Sequence, residues 1–341
     1  MLRKFSTVVY CSFMSSLIYA QNDSTKKGIT SITGFADTYY RYSLPDASGS
    51  NNNLTSFTNS HNSFELGMIS LKADHSFGKV AATADIGFGK RAQEFSYNDA
   101  GSIATIKQLY FSYSPISAVK LTMGKWGTHI GYEVVDPIGN RNYSMSYGFS
   151  YGPFFHTGIK ADITLGGKTA LMIGVADPTD FTGTSSPVKF ALAQFSTASK
   201  NDQLKVYLNF QAGGGITQFN LVSTAALSHK LSAAYDGSIQ ISTFAQGNTS
   251  WVCHAIYLNY DPTNHLGFTI RQDYFSDRKI NPLNNSDKIF ATTLSANFKL
   301  AKLTIIPEWR IDNSNQSVFS KNNDTYSKTA CSFILAAIFK L

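Results

Sequence analysis

The chain has no run of about 18 apolar residues, so no helix in it could cross a bilayer. Charge is sparse. Asp, Glu, Lys and Arg make up 15% of 341 residues, against about 25% in ordinary soluble domains. After residue 20 no useful stretch repeats at the helical period. There is no phosphate loop, no dinucleotide fingerprint and no run or stripe of basic residues. The 29 Lys and Arg stand against 22 Asp and Glu, for a net charge of +7, and they are scattered. Nucleic-acid binders concentrate theirs, so nucleic acid is excluded as a partner. Cysteine is nearly absent, with three residues. Cys253 and Cys331 fall in segments not expected to be neighbours, so two free thiols are expected.

Aromatic residues and strict alternation are what the chain does have. Aromatics make up 13% of it. Leu204, Val206, Leu208 and Phe210 alternate with Lys205, Tyr207, Asn209 and Gln211. The same period of two recurs at Leu266, Phe268 and Ile270, and at Leu303, Ile305 and Trp309. A charge-poor, aromatic-rich, alternating chain is an all-β protein with one apolar face. Residues 1–20 read as a secretory signal, with Arg3 and Lys4 ahead of a largely apolar stretch and Tyr19-Ala20 at the cleavage point. Residues 21–341 are then the mature chain, with a charge near +5 once Arg3 and Lys4 are gone.

Sixteen strands are predicted, at 28–42, 63–77, 79–91, 103–114, 118–126, 154–165, 168–177, 187–197, 201–213, 216–228, 230–244, 250–261, 265–276, 287–300, 302–312 and 327–341. Their connections alternate short and long. The long ones are 43–62, 92–102, 127–153, 178–186, 245–249, 277–286 and 313–326, and only Gly213-Gly214-Gly215 is tight where a long one is due. Short turns on one side and long loops on the other mark a transmembrane antiparallel β-barrel with periplasmic turns, extracellular loops and both termini on the periplasmic side. In hydrocarbon every backbone group needs an internal partner, which a closed barrel supplies. Sixteen strands also leave room for an aqueous channel, whereas eight fill with side chains. Pro307 cannot donate to a ladder, and a local bulge is expected there.

The loop 127–153 is too long for a turn and too aromatic for a linker. Glu133, Asp136 and Arg141 carry charge among Tyr132, Tyr143, Tyr147, Phe149 and Tyr151. They read either as a constriction with both signs of charge or as a cap whose rings pack on the rim. Polar positions that alternate with lipid-facing ones belong to the lumen: Lys160 and Asp162, Arg271 and Asp273, Glu308 and Arg310. Such charges set the field that selects solutes, or pair and stabilise the wall. Lys125 falls on the lipid-facing parity and is expected to snorkel. Tyr39, Tyr42, Trp126, Tyr260, Tyr274 and Phe339 suit interfacial girdles.

Tyr110-Phe-Ser-Tyr-Ser-Pro, Lys120-Leu-Thr-Met-Gly-Lys-Trp, Gly131-Tyr-Glu-Val-Val-Asp-Pro-Ile-Gly-Asn, Tyr143-Ser-Met-Ser-Tyr-Gly-Phe and Gly152-Pro-Phe-Phe-His-Thr-Gly follow one another over roughly 105–165. This succession resembles the OmpL-like β-barrel porins common in Bacteroidetes-type bacteria. The resemblance implies an outer-membrane porin, with passive diffusion of small hydrophilic solutes and no cofactor. Outer-membrane lipid and the barrel-assembly machinery are then its partners, and by analogy with other sixteen-stranded porins it forms a homo-trimer. By the same analogy the third long loop folds inward as an eyelet.

Two other functions compete. A plugged barrel would serve as an assembly or surface-interaction component, with the long loops binding a partner. An outer-membrane lipid hydrolase would use Ser150, because Gly148-Phe-Ser-Tyr-Gly152 matches G-x-S-x-G. That motif needs a strand, an elbow and a helix, with acid and His partners further on, and no helix is expected here. His129 and His156 bracket the loop, but two histidines without a carboxylate make a poor metal site, so no metal is expected.

Overall fold

A computed structural model of the chain describes residues 28–45, 52–244, 247–278, 287–321 and 325–341. The expected leader and parts of four outer loops lie outside the described residues. The barrel strands are β1 (Ile29–Leu44), β2 (Ser63–Phe77), β3 (Val80–Phe88), β4 (Ile106–Ile116), β5 (Val119–Gly127), β6 (Phe155–Gly166), β7 (Thr169–Ala176), β8 (Phe190–Ala198), β9 (Leu204–Gly213), β10 (Ile216–Ala226), β11 (Leu231–Phe244), β12 (Gly247–Thr263), β13 (Leu266–Arg278), β14 (Asp287–Leu300) and β15 (Leu303–Ser314). A small hairpin, β16 (Phe319–Ser320) with β17 (Tyr326–Ser327), stands in the last loop, and β18 (Thr329–Lys340) completes the wall.

The sixteen wall strands pair antiparallel, each with its neighbour, and β1 pairs with β18 from Phe35↔Lys340 to Leu44↔Cys331. The barrel is closed and has no free edge. Among the described residues no helix is long and apolar enough to cross a membrane, so strands do the crossing. The start of β1 and the C-terminus lie together on the short-turn side, where the Leu341 amide donates to the Gly34 carbonyl at 2.9 Å. The wall is uneven. Strands β3, β5 and β8 have 9 residues and β7 has 8, close to the minimum for a tilted crossing, whereas β1 has 16 and β12 has 17.

Alternation sets which side chains face out. On β13, Phe268 and Ile270 are exposed to the outside while Thr269, Arg271 and Asp273 are buried inside. The tight outer turn at Gly214-Gly215 has φ +57° and +83°, a left-handed pair that glycine adopts at no steric cost and that matches hairpin twist.

Three local expectations fail. Pro307 makes no bulge. The β14–β15 ladder is interrupted opposite Pro307, yet Ser295↔Glu308 and Phe298↔Ile305 keep one register, and Pro307 stays in line with Leu335 on β18. The sixth outer connection is shorter than 245–249, because Gly247–Thr249 already belong to β12. Short helices do occur at Lys90–Phe95 and Tyr147–Tyr151. The second is capped by Ser146, whose hydroxyl accepts from the Phe149 amide, so the Gly148–Gly152 motif sits on a helical turn rather than on open loop.

Candidate functional site

The third outer connection, residues 128–154, leaves β5 and returns to β6 after crossing the lumen. Its path can be followed by its bonds to the wall. The His129 carbonyl accepts from Gln194 on β8. His129 Nε2 lies 3.1 Å from the Phe210 carbonyl on β9, so Nε2 must donate, and burial pushes this imidazole down to about 4. The Gly131 amide donates to Asn220 on β10 at 3.1 Å, and the Tyr132 amide to Asp236 on β11 at 2.9 Å. The Tyr132 ring packs on Tyr257 of β12 at 4.7 Å.

At the far end Arg141 forks onto both carboxylate oxygens of Asp261, at 3.0 and 2.8 Å. The Tyr143 hydroxyl donates to Asp37 of β1, and its amide donates to Glu308 of β15 at 2.7 Å. The Ser144 amide bonds the other Glu308 oxygen at 3.0 Å. On the way back the Tyr147 ring stacks on Phe275, and its hydroxyl donates to Asp312 at 2.9 Å. A buried charge is tolerated only when it is partnered, and Arg271 is partnered in full. All five N–H groups of Arg271 are used: Nε to Asp273, Nη1 to Glu133 and the Ser144 carbonyl, Nη2 to the Met145 carbonyl and Thr293. Arg310 bonds Asp312 twice and the Met145 carbonyl at 2.7 Å.

The constriction candidates therefore divide. Tyr132, Glu133, Tyr143 and Tyr147 are engaged with the wall, and Glu133 also accepts the Ser146 amide at 2.8 Å. Asp136 and Arg141 keep 31% and 26% of their side-chain surface while ion-paired to Lys107 and Asp261. Burial pushes the Asp136 carboxyl up, and Lys107 opposes the shift. The lumen candidates divide as well. Arg271, Asp273, Glu308 and Arg310 are buried anchors. Lys160 and Asp162, 3.2 Å apart, stay partly open at 18% and 32%, and Lys120 beside them at 53%.

Several side chains that hold the loop were not singled out from the sequence. Lys107 ties Asp85 to Asp136, and Arg91 from the first short helix lies 4.8 Å from the Tyr143 ring centroid. Asn220 and Asp236 hold the first limb of the loop. Lys107 shares the outward parity of Leu109 and Phe111 and is turned inward by a register shift beside Asp85, and Arg91 lies on the helix Lys90–Phe95 beyond the predicted strand's true end. Lys125 does not snorkel into lipid. The second and fourth outer connections cover its end of β5, and its ammonium bonds Ser96, Asp99 and Thr182 and lies 3.7 Å from the Phe155 ring centroid. Tyr39 and Trp126 are buried inside rather than in a girdle, whereas Tyr260 and Phe339 are exposed on the outer face. Cys253 and Cys331 are free. Ser150 donates to the Ser146 carbonyl and accepts from the Ser56 amide, as a loop-packing residue does. No metal-ligating group of three or more His, Cys, Asp or Glu occurs among the described residues.

A closed sixteen-stranded antiparallel barrel with an apolar outer face, a polar interior and a long loop folded into the lumen is the architecture of an outer-membrane porin. The chain belongs to the family described as "Putative beta-barrel porin-2, OmpL-like", whose family model matches residues 30–341. Among curated proteins no significant match is found. Solved structures share the fold. An anion-selective porin from Comamonas acidovorans superposes with a TM-score of 0.64 at 12% identity, over 92% of this chain and 100% of that one. The outer membrane channel DcaP of Acinetobacter baumannii gives 0.60 at 14%, over 93% and 99%. A loop L8 deletion mutant of OmpT, an outer membrane protein of Vibrio cholerae, gives 0.65 at 10%, over 93% and 100%.

Proposed function

We propose that small hydrophilic solutes cross this porin by passive diffusion along a wet lane beside β4–β9, and that the third loop is a fixed partition walling off the rest of the lumen. One observation carries the reading. Arg271, Asp273, Glu308 and Arg310 on β13 and β15 are buried against the loop, while Lys120, Lys160 and Asp162 on β5 and β6 keep part of their surface open. Two lysines against one aspartate give the lane a positive field, which favours anions. An anion-selective porin among the structures of similar fold accords with this. Asp136 and Arg141 act at the edge of the partition, and the other constriction candidates act by fixing it. The reading takes residues 1–20 as an export signal, the barrel-assembly machinery as the route into the outer membrane of a Bacteroidetes-type cell, and a trimer as the working form. The low side of the wall, with Phe111 and Met123 exposed at 64% and 68%, supports an apolar face for sister copies or lipid.

Planar-bilayer conductance under a salt gradient tests the lane. Wild type is expected to conduct with a reversal potential on the anion side, and Lys120→Glu/Lys160→Glu to move it toward cations at similar conductance. An unchanged reversal potential in the double variant refutes the lane. The number of bonds that seat the loop favours a second reading, a plugged barrel with a surface-interaction role. That reading predicts no conductance steps from correctly folded wild type.

A further inference from the structure

At the outer end of the barrel, above the loop's returning limb, lies a cavity of about 430 Å³, within the range of about 300–1,000 Å³ typical of small-molecule sites. Gln211 and Gln240 line its floor, and Gln218 lies between them in the wall behind. Gln211, Gln218 and Gln240 are direct register partners on β9, β10 and β11. Gln211 donates to Gln218 Oε1 at 2.8 Å and accepts from Thr179 at 3.2 Å. Gln218 Nε2 is fully buried with no hydrogen-bond partner among the described residues. It lies behind Gly152, 3.7 Å from where a Cβ would stand, and a buried amide left unpaired is costly. The walls are aromatic, with Tyr97 set edge-on to Phe154 at 6.0 Å.

The lining defines the ligand by charge. Among the described residues it contains no Lys, Arg or His, so no cationic side chain there attracts an anion. Its two carboxyls are already occupied. Asp180 accepts from the Phe154 and Phe155 amides and from the Tyr97 hydroxyl, and Glu94 accepts from Asn59. Asp180 is engaged at both oxygens, and Glu94 is tied at one. What remains is a set of neutral amide and hydroxyl groups beside aromatic faces. That combination suits a solute with many hydroxyls and an apolar C–H face, and it suits little else.

We infer that this cavity binds a neutral polyhydroxylated solute of mono- or disaccharide size at the outer mouth. The inference rests on the porin reading, in which the cavity lies at the outer mouth and shares no residue with Lys120, Lys160 and Asp162 of the lane. The test uses the folded full chain in detergent micelles with maltose as probe and choline chloride as the cationic comparator, read by isothermal titration calorimetry. Salt conductance in bilayers is measured in parallel. Saturable maltose binding is expected, with Tyr97→Ala/Gln240→Leu weakening it about tenfold or more and leaving conductance in salt unchanged. Absence of saturable maltose binding, equal binding by the double variant, or choline binding that the same variant abolishes would overturn the inference. A chain that binds maltose as expected but does not conduct supports the site and refutes the lane, so the two failures are distinguishable.

Discussion

Glu308→Ala tests whether the partition is seated by a few wall carboxylates. The Glu308 carboxylate is buried and accepts from the Tyr143 amide at 2.7 Å, the Ser144 amide at 3.0 Å and the Ser295 hydroxyl at 2.8 Å. Hydrogen bonds to a charged partner contribute about 1.5–3 kcal/mol each. Removing the two that hold the loop therefore loosens residues 142–146 by about 3–6 kcal/mol, a shift of roughly 10²–10⁴ between seated and unseated loop. Arg271 still bonds the Ser144 and Met145 carbonyls, so the release is local and the barrel persists. Ser144 is buried, and its side chain reports the change. With Ser144→Cys introduced and Cys331→Ala removing the half-exposed thiol, a water-soluble thiol reagent is expected to label the Glu308→Ala chain much faster than the parent. Open-channel current noise rises with it, and Glu308→Gln, which keeps an acceptor, falls between the two. Equal labelling and equal noise in all three, with heat-modifiable mobility confirming folded barrels, would refute the argument that these bonds seat the loop.

Other perturbations follow from the outer connections. Burial lifts the Asp180 carboxyl to about 7 from 3.8. A folded value above the unfolded one means its contribution to docking is complete below about pH 4 and is lost as pH rises through 7, on the order of 4 kcal/mol in all. Hydrogen exchange at the Phe154 and Phe155 amides should be slower at pH 5 than at pH 8 after intrinsic correction, and Asp180→Asn should flatten the difference; no pH effect in wild type would count against it. Lys125→Met strands the buried Asp99 carboxylate and is expected to cost about 3–5 kcal/mol, with Lys125→Met/Asp99→Asn recovering part of the loss in thermal unfolding. Gly124→Ala places a Cβ 2.2 Å from the Leu109 carbonyl at φ +133°, whereas Gly127→Ala meets nothing nearer than 3.9 Å. Barrel yield should collapse for the first and hold for the second.

The wall was legible because period-two alternation and connection length are local properties. Strand number, side-chain parity at Arg271 and Glu308, and the short-turn side all follow from them. The fold of the third loop was legible only as an inward segment rich in rings. Which wall groups it meets depends on contacts such as Tyr143 with Asp37 and Tyr147 with Asp312, which no window of sequence contains. Lys125 misled for the same reason, since parity alone cannot show that two other loops cover the end of a strand. Pro307 misled in the opposite direction. The wall absorbs a missing donor by breaking one stretch of ladder while keeping its register.

The partners of the third loop have a consequence for assembly. Asp37 precedes Tyr143 by 106 residues, and Glu308 and Asp312 lie 165 residues beyond the loop positions they hold. Contacts of such range form late, after the connecting chain has been ordered. The loop cannot complete its bonds until β1 and β15 are both in place. Until then Arg271 has only Asp273 and Thr293, Arg310 only Asp312, and Glu308 only Ser295, without the loop groups that complete their bonding. Full seating of this loop is therefore a report that both ends of the sheet are in place, and a chain cut short before β15 would keep the loop's first anchors but lack Glu308 and Asp312.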